Sequence, residues 1–156
     1  MCSPADESRM RLAIAQAELA AGAGEIPVGA ILTDGEGNIL SSTHNLCEAQ
    51  QLATAHAEML AIAEASKKKG TWRLSDCTLY VTMEPCPMCM GAIIHARIGR
   101  VVYGVKDARA GACGSLLDLN AYPLESAPKI TQGVLEQQCR DLLRAFFLRR
   151  RGNKQN

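Results

Sequence analysis

The tripeptide His56-Ala57-Glu58, followed downstream by Pro85-Cys86-Pro87-Met88-Cys89, constrains this chain more than any other feature. One imidazole and two thiols are metal donors, and zinc suits that set. If they hold one ion, two segments far apart in sequence must meet at a point. Cys86 and Cys89 are three residues apart, so one helical turn brings both sulfurs to the same side. His56 then has to arrive from the start of another segment. Three protein donors leave a tetrahedral zinc with one open position, which a catalytic ion needs for water. Zinc lowers the pKa of that water from about 16 to near 7.

Glu58 stands two positions after His56. Inside a regular helix those side chains diverge by about 200°. The pair therefore works only where the chain enters a helix, with His56 in or before the first turn and Glu58 reaching over the metal-bound water. There Glu58 can take a proton and pass it on, as general acid and base. Pro85 stops a strand from running on, and Pro87 suits the opening turn of a helix. Cys86 and Cys89 would then lie near exposed amides and the positive end of a helix dipole, which favours thiolates. A structural zinc site is the alternative, with Cys113, Cys77 or His95 as a fourth ligand. A CxxC pair alone does not separate the two; the H-x-E element and the flanking proline favour catalysis.

At 156 residues the chain fits a single domain, 1–156, with one buried core. Apolar residues at 47% and charged residues at 21% describe a globular composition rather than a disordered one. No apolar run approaches the length that crosses a bilayer, and no basic segment leads into an apolar one at the N-terminus, so no membrane or secretory role is expected. Beyond Cys86 and Cys89, the cysteines at 2, 47, 77, 113 and 139 lack framework spacing. That usage suits a reducing cytoplasm.

Net charge is only +1, weak for a nucleic-acid binder, but it is unevenly placed. Residues 1–60 hold two Lys/Arg against eight Asp/Glu, and residues 129–156 hold seven against two. Their net charges are therefore −6 and +5. An anionic partner at the C-terminal end and a solvated helix end are both compatible with this.

Ser3-Pro4 reads as a helix cap, with apolar spacing continuing to about residue 21. Residues 27–33 and 39–44 read as a hairpin around Asp34-Gly35-Glu36-Gly37-Asn38. Residues 45–51 read as a loop, with Thr54 capping a helix over 55–68 that ends at Gly70. A strand over 77–83, a helix over 86–96 and a strand over 100–105 predict parallel pairing with a right-handed crossover. Gly111 to Ser115 lacks the spacing and lysine of a phosphate loop. A long amphipathic helix follows Gly133, and the adjacent Phe146 and Phe147 face different directions on it, so at least one is expected in the core. The expected fold is a three-layer α/β/α domain around a mixed sheet of about five strands.

The pattern H-x-E…P-C-x-x-C is the known signature of zinc deaminases, and on His56, Glu58, Cys86 and Cys89 the chain resembles the cytidine-deaminase-like superfamily. More closely it resembles the bacterial tRNA adenosine deaminase (TadA) family, over about residues 25–150. The resemblance is carried by Ile26-Pro27-Val28-Gly29-Ala30, Thr54-Ala55-His56-Ala57-Glu58, Thr78 to Cys86, Arg97 to Gly104, Asp107, Gly111 to Ser115, and Phe146-Phe147 with Arg149-Arg150.

That resemblance implies hydrolytic conversion of adenosine to inosine at the wobble position of a tRNA anticodon loop. Metal-bound water attacks C6 while Glu58 shuttles protons, with one Zn2+ per subunit on His56, Cys86 and Cys89. It also implies a cytoplasmic homodimer, and RNA contacts from Asn45, Asp107, Phe147 and Arg149. Glu84 is expected to anchor the metal loop rather than to catalyse. The run Ala20 to Gly24 and the stretch Leu46-Cys47-Glu48 depart from the tryptophan, basic or Arg-Pro character of some relatives. Two rival readings are a deaminase of a free base or nucleoside (guanine, cytosine, cytidine) and a non-catalytic zinc module binding RNA or protein.

Overall fold

The computed structural model describes residues 2–154. Ser3 caps helix α1 (Pro4–Gly22) by a reciprocal exchange with Asp6, and Pro4 occupies the first turn. Strands β1 (Gly29–Thr33) and β2 (Ile39–His44) form the expected hairpin. A one-turn helix α2 (Cys47–Gln50) precedes α3 (Ala57–Lys69), which stops at Gly70 with φ +75°. Then come β3 (Thr78–Met83), α4 (Pro87–His95), β4 (Arg100–Val105), β5 (Lys129–Thr131) and α5 (Glu136–Lys154).

The sheet order is β2-β1-β3-β4-β5. β1 runs antiparallel to β2 and β3, while β3, β4 and β5 are parallel. Side chains alternate across the sheet, so each face builds its own core. Ile31, Tyr80 and Val102 pack with Met10 and Ala13 of α1 and Cys139 of α5. Leu32, Leu79, Val101 and Tyr103 pack with Ala57, Ala61 and Ala65 of α3 and Met90, Ile93 and Ile94 of α4. This is the predicted three-layer α/β/α arrangement with five strands.

Four local expectations shift. The first strand begins at Gly29 rather than residue 27, because Val28 N–H turns back to the Ile26 carbonyl. His56, not Thr54, caps α3: Ala55 is spent in a turn, donating to Leu52 and accepting from Leu46. Residues 47–50 of the expected loop form α2, and β5 was not located from sequence at all.

Gly29 is required by contact. A Cβ there would lie 2.0 Å from the Ala13 carbonyl oxygen and 2.6 Å from the Ala17 nitrogen. The alanines at 13, 17 and 20 on the buried face of α1 permit this close approach of helix to strand.

Asp6 ties α1 to the start of β4. It is 1% exposed and accepts two bonds from the Arg100 guanidinium, at 2.8 and 2.7 Å. Arg100 holds its carboxyl below the usual aspartate range. A lowered folded-state value contributes stability above the unfolded value near 4, and that contribution is lost as pH falls through the lower value. Asp6→Ala is expected to cost about 2–3 kcal/mol, since Arg100 keeps some solvent. Urea midpoints between pH 7 and pH 3 check this: the gap between parent and variant should narrow toward acid.

Candidate active site

Two helix starts meet at the ends of β2 and β3. His56 is the N-cap of α3, which places Glu58 in the first turn, and Cys86 is the N-cap of α4, which places Cys89 in its first turn. Pro87 opens α4 as expected. The non-helical backbone of His56, φ −70° and ψ 150°, resolves the spacing problem, because the imidazole leaves the chain before the helical rotation begins. His56 Nδ1 lies 3.7 Å from Cys86 Sγ and 3.4 Å from Cys89 Sγ.

These distances test the fit of a metal. Bond lengths of about 2.3 Å to sulfur and 2.0–2.1 Å to nitrogen, at tetrahedral angles, put N and S about 3.6 Å apart. The three donor atoms all lie within 4.8 Å of one another. No fourth His, Cys, Asp or Glu joins them among the described residues. The alternative fourth ligands are engaged elsewhere. The Cys113 thiol meets Met90 sulfur at 3.6 Å, Cys77 adjoins Lys69 and Asp76, and His95 stacks on Trp72. The donor set fits zinc.

The electrostatics agree. The Cys89 thiol and the His56 ring hold Cys86 at about 4, well below an ordinary thiol. Cys89 is pushed upward by the Cys86 thiolate and by burial. The pair gives up one proton readily and the second only to a cation, which couples metal binding to proton release. The Cys86 thiolate also raises His56. Glu58 is 4% exposed, and burial pushes its carboxyl up to about 7. A cation alongside opposes that shift.

Glu58, His56 and Cys86 open onto a cavity of about 520 Å³. Ile26, Val28 and Asn45 line it from the β1 and β2 ends, Met83 and Glu84 from the β3 end, and Asp107, Arg109 and Ala110 from the loop after β4. Leu143 and Phe147 reach it from α5. The structure thus brings Asn45, Asp107 and Phe147 together with the chemistry, whereas Arg149 is exposed on α5 and does not line the cavity. Phe146 is buried and Phe147 is 39% exposed, which settles the adjacent pair. Arg109, Ile26, Val28 and Leu143 were missed. For Arg109 the position two residues after Asp107 was a usable signal; for Leu143 no local pattern separates a cavity wall from core.

Glu84 is an anchor. Its carboxylate accepts from the backbone of Cys113 and Ser115 and from the Ser115 hydroxyl, tying the 111–115 loop against the metal loop. Gly111 has to be glycine, because a Cβ there would meet a Glu84 oxygen at 1.8 Å and the Asp107 carbonyl at 2.5 Å. Gly111→Ala is accordingly expected to lower the melting temperature by several degrees, about 2 kcal/mol of overpacking, with loss of turnover.

A buried Glu beside three donors that fit zinc, on an α/β/α sheet, is an arrangement suited to zinc-dependent hydrolysis. The cytidine and deoxycytidylate deaminase zinc-binding region matches residues 3–105. The chain is 45% identical over 150 residues to the tRNA-specific adenosine deaminase of Bacillus subtilis, covering 96% of this chain and 92% of that one. It is 44% identical to that of Haemophilus influenzae, over 96% and 87%. A solved structure from work on A-to-I editing by tRNA:A34 deaminases at the wobble position superposes with a TM-score of 0.85. It has 36% identity and covers 87% of this chain and 99% of that one. The chain belongs to the tRNA-specific adenosine deaminases of this zinc-binding family. Among the described residues no helix is long and apolar enough to cross a membrane.

Proposed function

We propose that the chain, acting as one deaminase domain over 1–156, hydrolyses adenosine to inosine at the wobble position of a tRNA anticodon loop. The observation that carries this reading is Glu58, a buried carboxyl beside three convergent donors, on a chain so similar to tRNA-specific adenosine deaminases. His56, Cys86 and Cys89 would hold zinc, which when bound would supply a Lewis acid to make water nucleophilic at neutral pH. Glu58 takes up the proton released as the C–O bond forms at C6 and delivers it to the ring nitrogen beside that carbon. As the C–N bond breaks, Glu58 moves the proton of the new C6 hydroxyl to the departing amine, so ammonia leaves and inosine, with a carbonyl at C6, remains. A carboxyl raised toward neutrality by burial is suited to both transfers.

Asn45 presents a carboxamide to the cavity, suited to a purine edge. Asp107 spends Oδ1 on the backbone of Arg109 and Ala110, which caps its loop and leaves Oδ2 for a ribose hydroxyl. Phe147 offers an exposed ring at the cavity, and Arg149 an exposed cation farther along α5 for a phosphate. The base must leave its stack to reach Glu58, so loop RNA is the substrate and duplex is not. A cytoplasmic homodimer is part of the same reading, supported by family likeness and by exposed Leu116, Tyr122 and Leu124 after the metal site.

The test is incubation of zinc-loaded protein with an anticodon stem-loop carrying adenine at the wobble position, followed by nucleoside mass analysis. Inosine there, absent with Glu58→Ala, supports the reading. Unchanged RNA refutes it.

A further inference from the structure

Glu25 is a carboxylate 1% exposed, held by the backbone amides of α2. Oε1 accepts from Glu48 N–H at 2.8 Å and Oε2 from Ala49 N–H at 2.9 Å. Those are the second and third amides of α2. The first, Cys47 N–H, donates to Asn45 Oδ1 at 3.2 Å, and the fourth, Gln50 N–H, returns to the Leu46 carbonyl. A helix this short buries none of its own residues, and Leu46 at its cap position offers no side-chain acceptor. Its start is therefore held by two borrowed side chains, Glu25 from 23 residues away and Asn45 from the cavity wall.

The shared cap also orients Asn45. Cys47 N–H fixes Oδ1, and Nδ2 faces the Ile26 carbonyl at 3.5 Å, next in sequence to Glu25. Flipping the amide would set carbonyl against carbonyl and N–H against N–H. One N–H and one oxygen lone pair remain free in a fixed order for the cavity.

We propose that Glu25 is a positioning residue for the substrate. By holding α2 it fixes the direction of the Asn45 carboxamide, and so the hydrogen-bond pattern offered to the base. This rests on the reading of Asn45 as a base contact. The cap itself does not need that reading.

Three measurements on zinc-loaded, full-length protein test this with Glu25→Gln, in which one oxygen becomes an NH2 facing an amide N–H. Hydrogen exchange without RNA is expected to speed up about fivefold to tenfold at residues 47–49, with zinc content unchanged. On the stem-loop KM should rise about tenfold while kcat changes less than about threefold, the mark of lost binding rather than lost chemistry. In an Asn45→Ala background the same substitution should add less than about twofold, because the group it positions is gone. Glu25→Asp, which keeps both oxygens, should recover part of the exchange protection, and it replaces Glu25→Gln should the latter fail to fold. Unchanged exchange at 47–49, an equal fall in kcat, or full multiplicativity with Asn45→Ala each overturns the proposal. If the parent protein makes no inosine, the functional reading fails, and the exchange arm still decides whether Glu25 holds α2.

Discussion

Glu58→Ala is expected to lower turnover by about 10²–10⁴-fold, the span general acid–base catalysis supplies, while zinc content stays at that of the parent. The reason is positional. Glu58 is in the first turn of α3 and opens onto the cavity, whereas the donor cluster consists of His56, Cys86 and Cys89. Removing it deletes the proton carrier and leaves all three donors. Glu58→Gln keeps the shape and should be about as inactive. It should also be more stable without metal at pH 8. A carboxyl whose folded value is raised from 4.5 to about 7 destabilises the fold at any pH above 4.5, and the neutral amide escapes that cost. Melting curves in chelator check the sign: Glu58→Gln above the parent at pH 8, the gap closing toward pH 5. Loss of zinc from Glu58→Ala would instead make Glu58 a ligand and leave proton transfer without its carrier.

Cys86→Ala has the second large effect, through metal rather than protons. Cys86 is the thiol held most firmly as thiolate, and the partner that pushes Cys89 up. One imidazole and one thiol are too few donors to hold zinc in competition with buffer. Turnover and stoichiometric zinc should both vanish. Added zinc at a thousandfold excess over its dissociation constant stabilises a one-site protein by about 4 kcal/mol. The parent's melting temperature should therefore rise steeply with zinc, and that of Cys86→Ala should stay flat. A zinc-dependent rise in the variant would mean that another residue, such as Cys113, completes the site.

The same residues explain what could be read from sequence. The donor set was legible because its constraint is covalent spacing: two thiols on one turn, and an imidazole that has to precede a helix for Glu58 to face the same way. The hairpin and the parallel β3–β4 unit were legible from period and turn chemistry. β5 was not, because three residues of Lys-Ile-Thr, paired only at one sheet edge, carry no periodicity. The cap of α3 fell two residues late, since Thr54 is a better capping residue by type while His56 is placed by its tertiary role. Glu25 and Leu143 escaped for a related reason. The groups that face them come from segments 20 or more residues away, and no local window contains both sides of such a contact.

The most direct measurement is a competition: one pool of zinc-loaded protein given the wobble-adenine stem-loop, free adenosine, guanine and cytidine together, with every product resolved by mass. Inosine confined to the wobble position of the RNA, with the free base and both nucleosides unconsumed, is the predicted result. Deamination of guanine or of a free nucleoside with the RNA intact would contradict it.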